Sequence, residues 1–202
     1  MRKIYPILLI LCAYLTMGSL NCLAEENKAN LLLLIAEQNI EGPQRCWWAS
    51  EIDLSTVEAK LSEGLISGGY SVLDPSQISG VLKEEKAFRS INLSDEESVE
   101  LAKLSQADYV ILGKAVASSG GNVPESNMRS CFANVTIKLI RVQDEEIIAY
   151  LEAGGSSVHT DVISGGREAL IKAAGDLATK VINALSQEGK QEAVVQEGGQ
   201  EE

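Results

Sequence analysis

The first part of the chain carries short, uninterrupted apolar runs that predict buried strands. Leu31 to Ile35 is a continuous apolar run without helical spacing, which is typical of a strand covered on both faces. Tyr70 to Leu73 and Tyr109 to Val116 are further apolar runs bounded by turn residues. Helical segments lie between these runs, so we expect right-handed crossovers that leave the early strands largely parallel.

The later part of the chain alternates apolar and polar side chains. From Cys131 onward, apolar residues occupy every second position, and polar residues such as Asn134 fall between them. This period of two predicts a strand covered on one face only. After a polar turn, Ile147 to Ala153 is expected to return as the antiparallel hairpin partner, with Gly154-Gly155 loosening the end of that strand.

Helix signals separate and follow these strands. Ser55 and Ser94 each precede a glutamate three positions later, which is the capping-box pattern of a helix start. A brief helix is expected around Ile78, and a final helix is expected to open at Ser164 with an apolar stripe that ends at Leu185.

These elements predict one α/β domain at residues 25–186, with helices packed on a mixed sheet that has parallel early strands and a late antiparallel hairpin. Residues 187–202 are mostly Glu, Gln, Gly and Lys, so we expect a disordered acidic tail there. The sequence shows no internal repeats.

Residues 1–24 predict export. Arg2 and Lys3 precede an apolar run and a more polar stretch that ends at Ala24, which is the pattern of a secretory signal peptide. The alternative to cleavage after Ala24 is lipoprotein processing before Cys22, which would tether the protein to a membrane. We therefore expect a periplasmic protein, with outer-membrane association if Cys22 is acylated.

The charge of the chain disfavours one class of partner. Asp and Glu together number 29 against 17 Lys and Arg, and the formal net charge is −12 at pH 7. A surface this negative repels phosphate backbones and anionic lipid headgroups. Nucleic-acid binding is therefore not expected.

Cys46 and Cys131 are the two cysteines outside residues 1–24. In an oxidising compartment they form either one disulfide or two buried thiols. Both are expected in loops at the same end of the sheet, so the disulfide is the favoured prediction. His159 is the single histidine, too few for a Cys/His zinc site, and no metal or other cofactor is expected.

Several segments resemble one group of envelope proteins. Gly68 to Asp74 is similar to the glycine followed by a short valine-rich strand found in that group, and Ala107 to Gly113 to its alanine-aspartate-tyrosine strand signature. Val135 to Val142 and Glu146 to Ala153 resemble the hairpin that follows. The group comprises the curli-secretion lipoprotein CsgG, the penicillin-binding-protein activator LpoB, the flagellar assembly protein FlgT and the TolB amino-terminal domain. The resemblance implies an α/β domain used for docking and assembly at the Gram-negative envelope.

The loop after the first strand contains the candidate binding residues Arg45, Trp47 and Trp48. Adjacent aromatic side chains in a loop seldom both bury, so one ring is expected to be exposed and to anchor a partner. The alternative is that both rings cap the end of the sheet.

Other motifs have simpler explanations than catalysis. His159 near Asp161 suggests a base and its orienting acid, but no nucleophile is placed beside them, so a polar loop is favoured. Ser164 to Arg167 is explained by a helix cap better than by an anion site. Asp95 to Glu97 is explained by a helix start, where carboxylates complement the dipole, and not by a metal site.

We therefore expect a non-enzymatic, exported envelope accessory protein that binds a protein partner in the assembly or regulation of a cell-surface structure. The alternative is a periplasmic small-ligand or glycan-binding module that uses the same loops as its pocket.

Overall fold

The computed structural model of the protein describes residues 29–48, 54–74, 78 and 92–198. The predicted signal peptide, Cys22 and most of the brief helix expected around Ile78 lie outside these residues. The described elements are β1 (Asn30–Gln38), α1 (Thr56–Ser67), β2 (Ser71–Val72), α2 (Asp95–Leu104), β3 (Tyr109–Asn122), β4 (Arg129–Arg141), β5 (Ile147–His159) and α3 (Val162–Gly198).

The strands form one mixed sheet in the order β2-β1-β3-β4-β5. β1 lies parallel to both β2 and β3, with Leu34 beside Leu112 in the second pair. β3, β4 and β5 then run antiparallel to one another. The predicted fold class, a mixed sheet with parallel early strands and a late antiparallel hairpin, is confirmed.

Both predicted capping boxes are present. The Ser55 hydroxyl accepts a hydrogen bond from the Glu58 backbone N–H, and the Glu58 carboxylate accepts one from the Ser55 N–H. Ser94 and Glu97 repeat this exchange at the start of α2. These reciprocal bonds satisfy backbone donors that have no partner within a first helical turn.

The sheet separates two hydrophobic cores. Leu31, Leu33 and Ile35 of β1 face the first core, where α1 and α3 pack on the sheet. Leu32 and Leu34 face the second core, which contains α2 and the two tryptophans. β1 is therefore buried on both faces, as its continuous apolar run predicts.

β5 continues past the glycines that were expected to loosen it, and it ends at His159. Gly155 lies where α3 crosses the sheet closely: a Cβ there would be 2.0 Å from the Ala169 carbonyl oxygen and 2.8 Å from the Ala173 nitrogen. The glycine removes a steric conflict between strand and helix, so the predicted end of the strand at Gly154 is wrong.

α3 is longer than the sequence predicted. It begins at Val162 and continues to Gly198, so the described part of the tail expected to be disordered is helical. The tail is rich in Gln, Glu, Lys and Ala, which have high helix propensity and can extend an existing helix without a new nucleus. Near the start of this extension, Glu188 pairs with Arg141 of β4.

Lysines of α3 cover the outer edge of β5. Lys172 Nζ donates to the Ser156 carbonyl oxygen at 3.0 Å, and Lys180 Nζ donates to the Glu152 carbonyl oxygen at 2.7 Å. Each lysine also pairs with the carboxylate four positions earlier. Carbonyls that would accept bonds from an added strand therefore already have donors, a known protection of edge strands.

Gly155→Ala should destabilise the protein by about 2 to 3 kcal/mol, because the new methyl group meets the backbone of α3 rather than a movable side chain. Gly154→Ala is the matched control, since its Cβ would find only an ordinary contact at 3.8 Å. Urea unfolding of both variants measures the difference. Equal free energies of unfolding would show that α3 does not approach the sheet so closely.

Candidate functional site

The edge of β1 that faces away from β3 is satisfied by groups distant in sequence. β2 pairs only with Asn30 and Leu31, so the rest of this edge needs other partners. Ile35 N–H donates to Glu58 Oε1 at 2.9 Å, and Trp47 Nε1 donates to the Leu33 carbonyl oxygen at 2.9 Å. These bonds fix the start of α1 and the tryptophan loop against the central strand.

Glu37 completes the same edge. Its backbone exchanges two hydrogen bonds of 2.7 Å with that of Arg45, which forms an isolated antiparallel bridge. The Glu37 carboxylate accepts a bond of 2.8 Å from the Val57 N–H, in the first turn of α1. The loop between β1 and the tryptophans is thus held at both of its ends.

Trp47 and Trp48 are both buried, with 7% and 6% of their surface exposed. Their rings meet edge to face, with centroids 6.1 Å apart, and they pack in the second core. This arrangement matches the alternative in which both rings cap the sheet. Arg45 is exposed, and a role for these three residues in binding a partner stays a prediction.

The favoured disulfide is not formed, because Cys46 and Cys131 lie on opposite faces of the sheet. Cys46 packs in the second core, beside the tryptophans. Cys131 is fully buried on the other face, where a Cβ on Gly165 of α3 would come within 2.5 Å of its sulfur. Cys131 also lies within β4 and not in the loop where we expected it.

His159 and the start of α3 form a cap. Asp161 Oδ2 accepts a bond of 2.8 Å from the Ser164 N–H, and this hydrogen bonding lowers the pKa of Asp161. His159 Nδ1 lies 3.0 Å from the Asp161 nitrogen, in a local turn. The amides that could have held an anion are therefore used by the chain itself, as the capping interpretation predicts.

Glu58 is the most perturbed carboxyl group of the described residues. It is completely buried, and desolvation raises its pKa to about 7, although hydrogen bonds from Ile35 and Ser55 act in the opposite direction. Glu37 adds like-charge repulsion. Glu58 lies between the start of α1 and the edge of β1, and it lines neither of the two grooves described below.

The second face of the sheet is only partly covered. α2 packs over the part that contains Val110 and Ile140, whereas the far halves of β3, β4 and β5 leave every second side chain exposed. We call this region the open face. Its exposed members are Lys114, Val116, Ser118, Phe132, Asn134, Thr136, Tyr150, Glu152, Gly154, Ser156 and Val158.

Large apolar side chains lie on the open face. Val116 is 45% exposed, Phe132 49%, Val158 50% and Tyr150 66%. A Cβ on Gly120 would come within 2.6 Å of the Phe132 ring, so the edge of this ring lies against a glycine of the neighbouring strand. The patch is therefore backed by sheet and not carried on a loop.

Polar contacts order the rest of the open face. Lys138 pairs with Asp95 of α2 at 2.7 Å, which raises the pKa of Lys138, and its Nζ lies 5.9 Å from the Tyr150 ring centre. Asn134 Nδ2 donates to Glu152 Oε1 at 2.8 Å. Within the described residues, Lys114 has no ion pair.

The alternating pattern predicts that β4 is covered on one face, but it does not predict the exposed apolar residues on the other face. The signal that could have revealed the patch is Phe132, a large apolar residue at a polar position of the alternation that includes Asn134 and Thr136. The exposed position of Val116 depends on how far α2 extends over β3, which a strand pattern does not specify.

Two shallow grooves lie elsewhere. One of about 370 Å³ runs between the start of β5 and α3, past Leu151 and Lys180. Another of about 500 Å³ lies beside Asp108 and Arg141. In the described part of the chain, no cluster of three metal-ligating side chains is found, and no helix is long and apolar enough to cross a membrane.

No protein-family model and no curated protein sequence matches the chain. Among solved structures, the lipoprotein GNA1162 from Neisseria meningitidis is similar over 79% of this chain and 99% of its own, with 12% identity and a TM-score of 0.44. A neuraminyllactose-binding hemagglutinin homolog from Helicobacter pylori is similar over 85% and 91%, with 15% identity and a TM-score of 0.43.

The LpoB carboxy-terminal domain from Escherichia coli is also similar, over 64% of this chain and 83% of that domain, with 19% identity and a TM-score of 0.38. At these identities and TM-scores the likeness is distant, and it assigns neither a family nor a function. The resemblance to CsgG, FlgT and TolB stays a prediction.

Glu58→Gln should remove a pH dependence of stability. The pKa of Glu58 is raised from 4.5 to about 7, so the folded state holds its proton more tightly than the unfolded state. This contribution to stability is complete below pH 4.5 and is lost as pH rises through 7. The destabilisation caused by Glu58→Gln should therefore shrink by about 3 kcal/mol between acid and pH 8, at 1.36 kcal/mol per pKa unit.

Urea unfolding at several pH values measures this effect. Glu63→Gln, an exposed position on the same helix, is the control and should show no such trend. A constant difference between wild type and Glu58→Gln across this range would mean that the pKa of Glu58 is the same in the folded and the unfolded protein.

Proposed function

We propose that this protein is an exported, non-catalytic accessory protein of the bacterial cell envelope that binds another protein chain through its open face. Binding would serve the assembly or regulation of a cell-surface structure. The exported location rests on the sequence of residues 1–24, which has the charged start, apolar centre and small-residue end of a signal peptide.

The observation that carries the proposal is the exposed apolar patch of Val116, Phe132 and Val158. Tyr150 is exposed on the same face, three rows further along the sheet. Single exposed apolar side chains are ordinary, but several gathered on one flat surface and surrounded by polar groups are typical of protein interaction sites. Phe132 and Tyr150 are also of the residue classes that are enriched in interface cores.

The register of the sheet brings the patch together. Phe132 lies between Ser118 and Ser156, and its diagonal neighbours on the flanking strands include Val116 and Val158. Neighbours at such diagonal positions are about 7 to 8 Å apart, within reach of an aromatic ring. Because the serines beside it are small, the Phe132 ring is the largest side chain in this patch.

The face is favoured over the adjoining edge of β5 as the docking surface. A partner that added a strand to β5 would have to displace Lys172 and Lys180 from the carbonyl groups that they cover. On the face, the exposed side chains project outward, and no described element has to be displaced from them.

A binding role is supported over a hydrolytic role by the use made of His159. Its Nδ1 is engaged by the backbone of Asp161 in the turn before α3, and the Asp161 carboxylate caps that helix. Neither group is held for proton transfer to a substrate.

Phe132→Asp should abolish capture of the partner from envelope extracts, because a charge would be buried at the centre of the interface. Ile66→Asp on α1 is the matched control: Ile66 is 59% exposed but lies away from the open face. Pull-down with the tagged proteins, followed by mass spectrometry, compares the two variants with wild type.

The folded state of each variant is checked by thermal unfolding, which should change little since both positions are exposed. Recovery of the same proteins by wild type and Phe132→Asp would remove the open face from the proposed function.

A further inference from the structure

We propose that the protein chain that occupies the open face is a second copy of this protein, related by a twofold axis that runs along β4. This inference rests on the proposed function, because it names the partner of the same surface. The argument comes from the register of β3, β4 and β5, which makes the open face complementary to itself.

A twofold axis parallel to β4 and above it would bring two open faces together. β4 would then face its own copy, and β3 of one protomer would face β5 of its partner at the same height. Sheets that pack in this way keep their strands within about 30° of each other, so residues near the centre remain opposite one another.

The twofold rotation about β4 places oppositely charged side chains of the two protomers opposite one another. Lys114 of β3 and Glu152 of β5 flank Thr136 in one row across the sheet. In the dimer, Lys114 of each protomer meets Glu152 of the other, which forms two equivalent ion pairs. Lys114 has no ion pair among the described residues, and the described partner of the Glu152 carboxylate is the neutral amide of Asn134.

The sizes of the side chains are complementary as well. In the next row, Val116 of β3 and Gly154 of β5 flank Asn134, so the exposed valine of one protomer lies opposite the glycine of the other. Val158 faces the region of Gly120, against which the edge of the Phe132 ring lies. On β4 itself, Phe132 meets Phe132 of the other protomer at the axis, so the two aromatic rings pack against each other there.

The size of the face predicts a weak association. Five rows of side chains on three strands cover about 33 Å by 14 Å, or roughly 460 Å² of projected area per protomer. Stable interfaces commonly bury about 800 Å² of surface per partner, so we expect a dimer that forms at micromolar to millimolar concentration.

Charge reversal tests the arrangement. In sedimentation equilibrium of the exported protein across this concentration range, wild type should show a monomer–dimer equilibrium. Lys114→Glu and Glu152→Lys should each weaken it by at least about tenfold, because each places like charges together at two symmetric sites. The double variant Lys114→Glu/Glu152→Lys should restore association to near the wild-type level.

Cross-linking provides a second measurement that does not depend on affinity changes. Thr136 lies on the axis strand and should face its own copy, so Thr136→Cys should form a disulfide-linked dimer under mild oxidation. Thr179→Cys, exposed on α3, is the control and should remain monomeric. The native Cys46 and Cys131 are buried and should not react.

Two results would overturn the inference. One is a monomer at every concentration with no Thr136→Cys cross-link, and the other is a dimer that tolerates both single charge reversals. If the protein stays monomeric while wild type, but not Phe132→Asp, captures a different envelope protein, the proposed function survives and only the identity of the partner is wrong.

Discussion

The structure depends on how the free edge of β1 is satisfied. This strand is buried on both faces, and β2 covers only its first two residues on one side. Backbone groups left without partners in such a place would cost about 1 to 3 kcal/mol each. Glu58, Trp47 and the Arg45 backbone supply bonds to Ile35, Leu33 and Glu37 in turn.

Each of these bonds also positions a larger element. Glu58 is the third residue of α1, so its bond to β1 sets where that helix begins on the first face of the sheet. Trp47 places an aromatic pair on the second face, where it shields one end of β1. The side chains of Glu58 and Trp47 therefore bind the same edge of β1 and position elements on opposite faces of the sheet.

Local patterns predicted most of the fold because their causes are local. Each capping box, at Ser55 and at Ser94, depends on residues within three positions of the serine. The burial of β1 on both faces follows in the same way from the continuous apolar run Leu31 to Ile35. The wrong predictions involve distant partners. The pattern predicts that β5 ends at Gly154-Gly155 because the approach of α3 is not visible in sequence. It also favours a disulfide between Cys46 and Cys131, because a strand pattern does not show that the two side chains lie on opposite faces of the sheet.

The candidate site could be predicted only in part for a similar reason. The alternation after Cys131 indicates that one face of β4 is polar, but the exposure of Phe132 depends on what the other elements cover. The buried position of the tryptophans depends on the non-local bond from Trp47 to Leu33. The preference for aromatic anchors favours Trp47 and Trp48, whereas Phe132 and Tyr150 are the exposed aromatic side chains among the described residues.

The lengths of the elements explain why a surface remains open. α3 has 37 residues, about 55 Å at 1.5 Å per residue, and it exceeds the 13 residues of β4, about 43 Å, so one helix can cover the first face along its whole length. On the second face, the 10 residues of α2 extend about 15 Å. That helix is too short to shield the far half of β4, and Phe132 is positioned there. Among the described elements, none extends over this part of the second face, so about half of the Phe132 surface stays exposed.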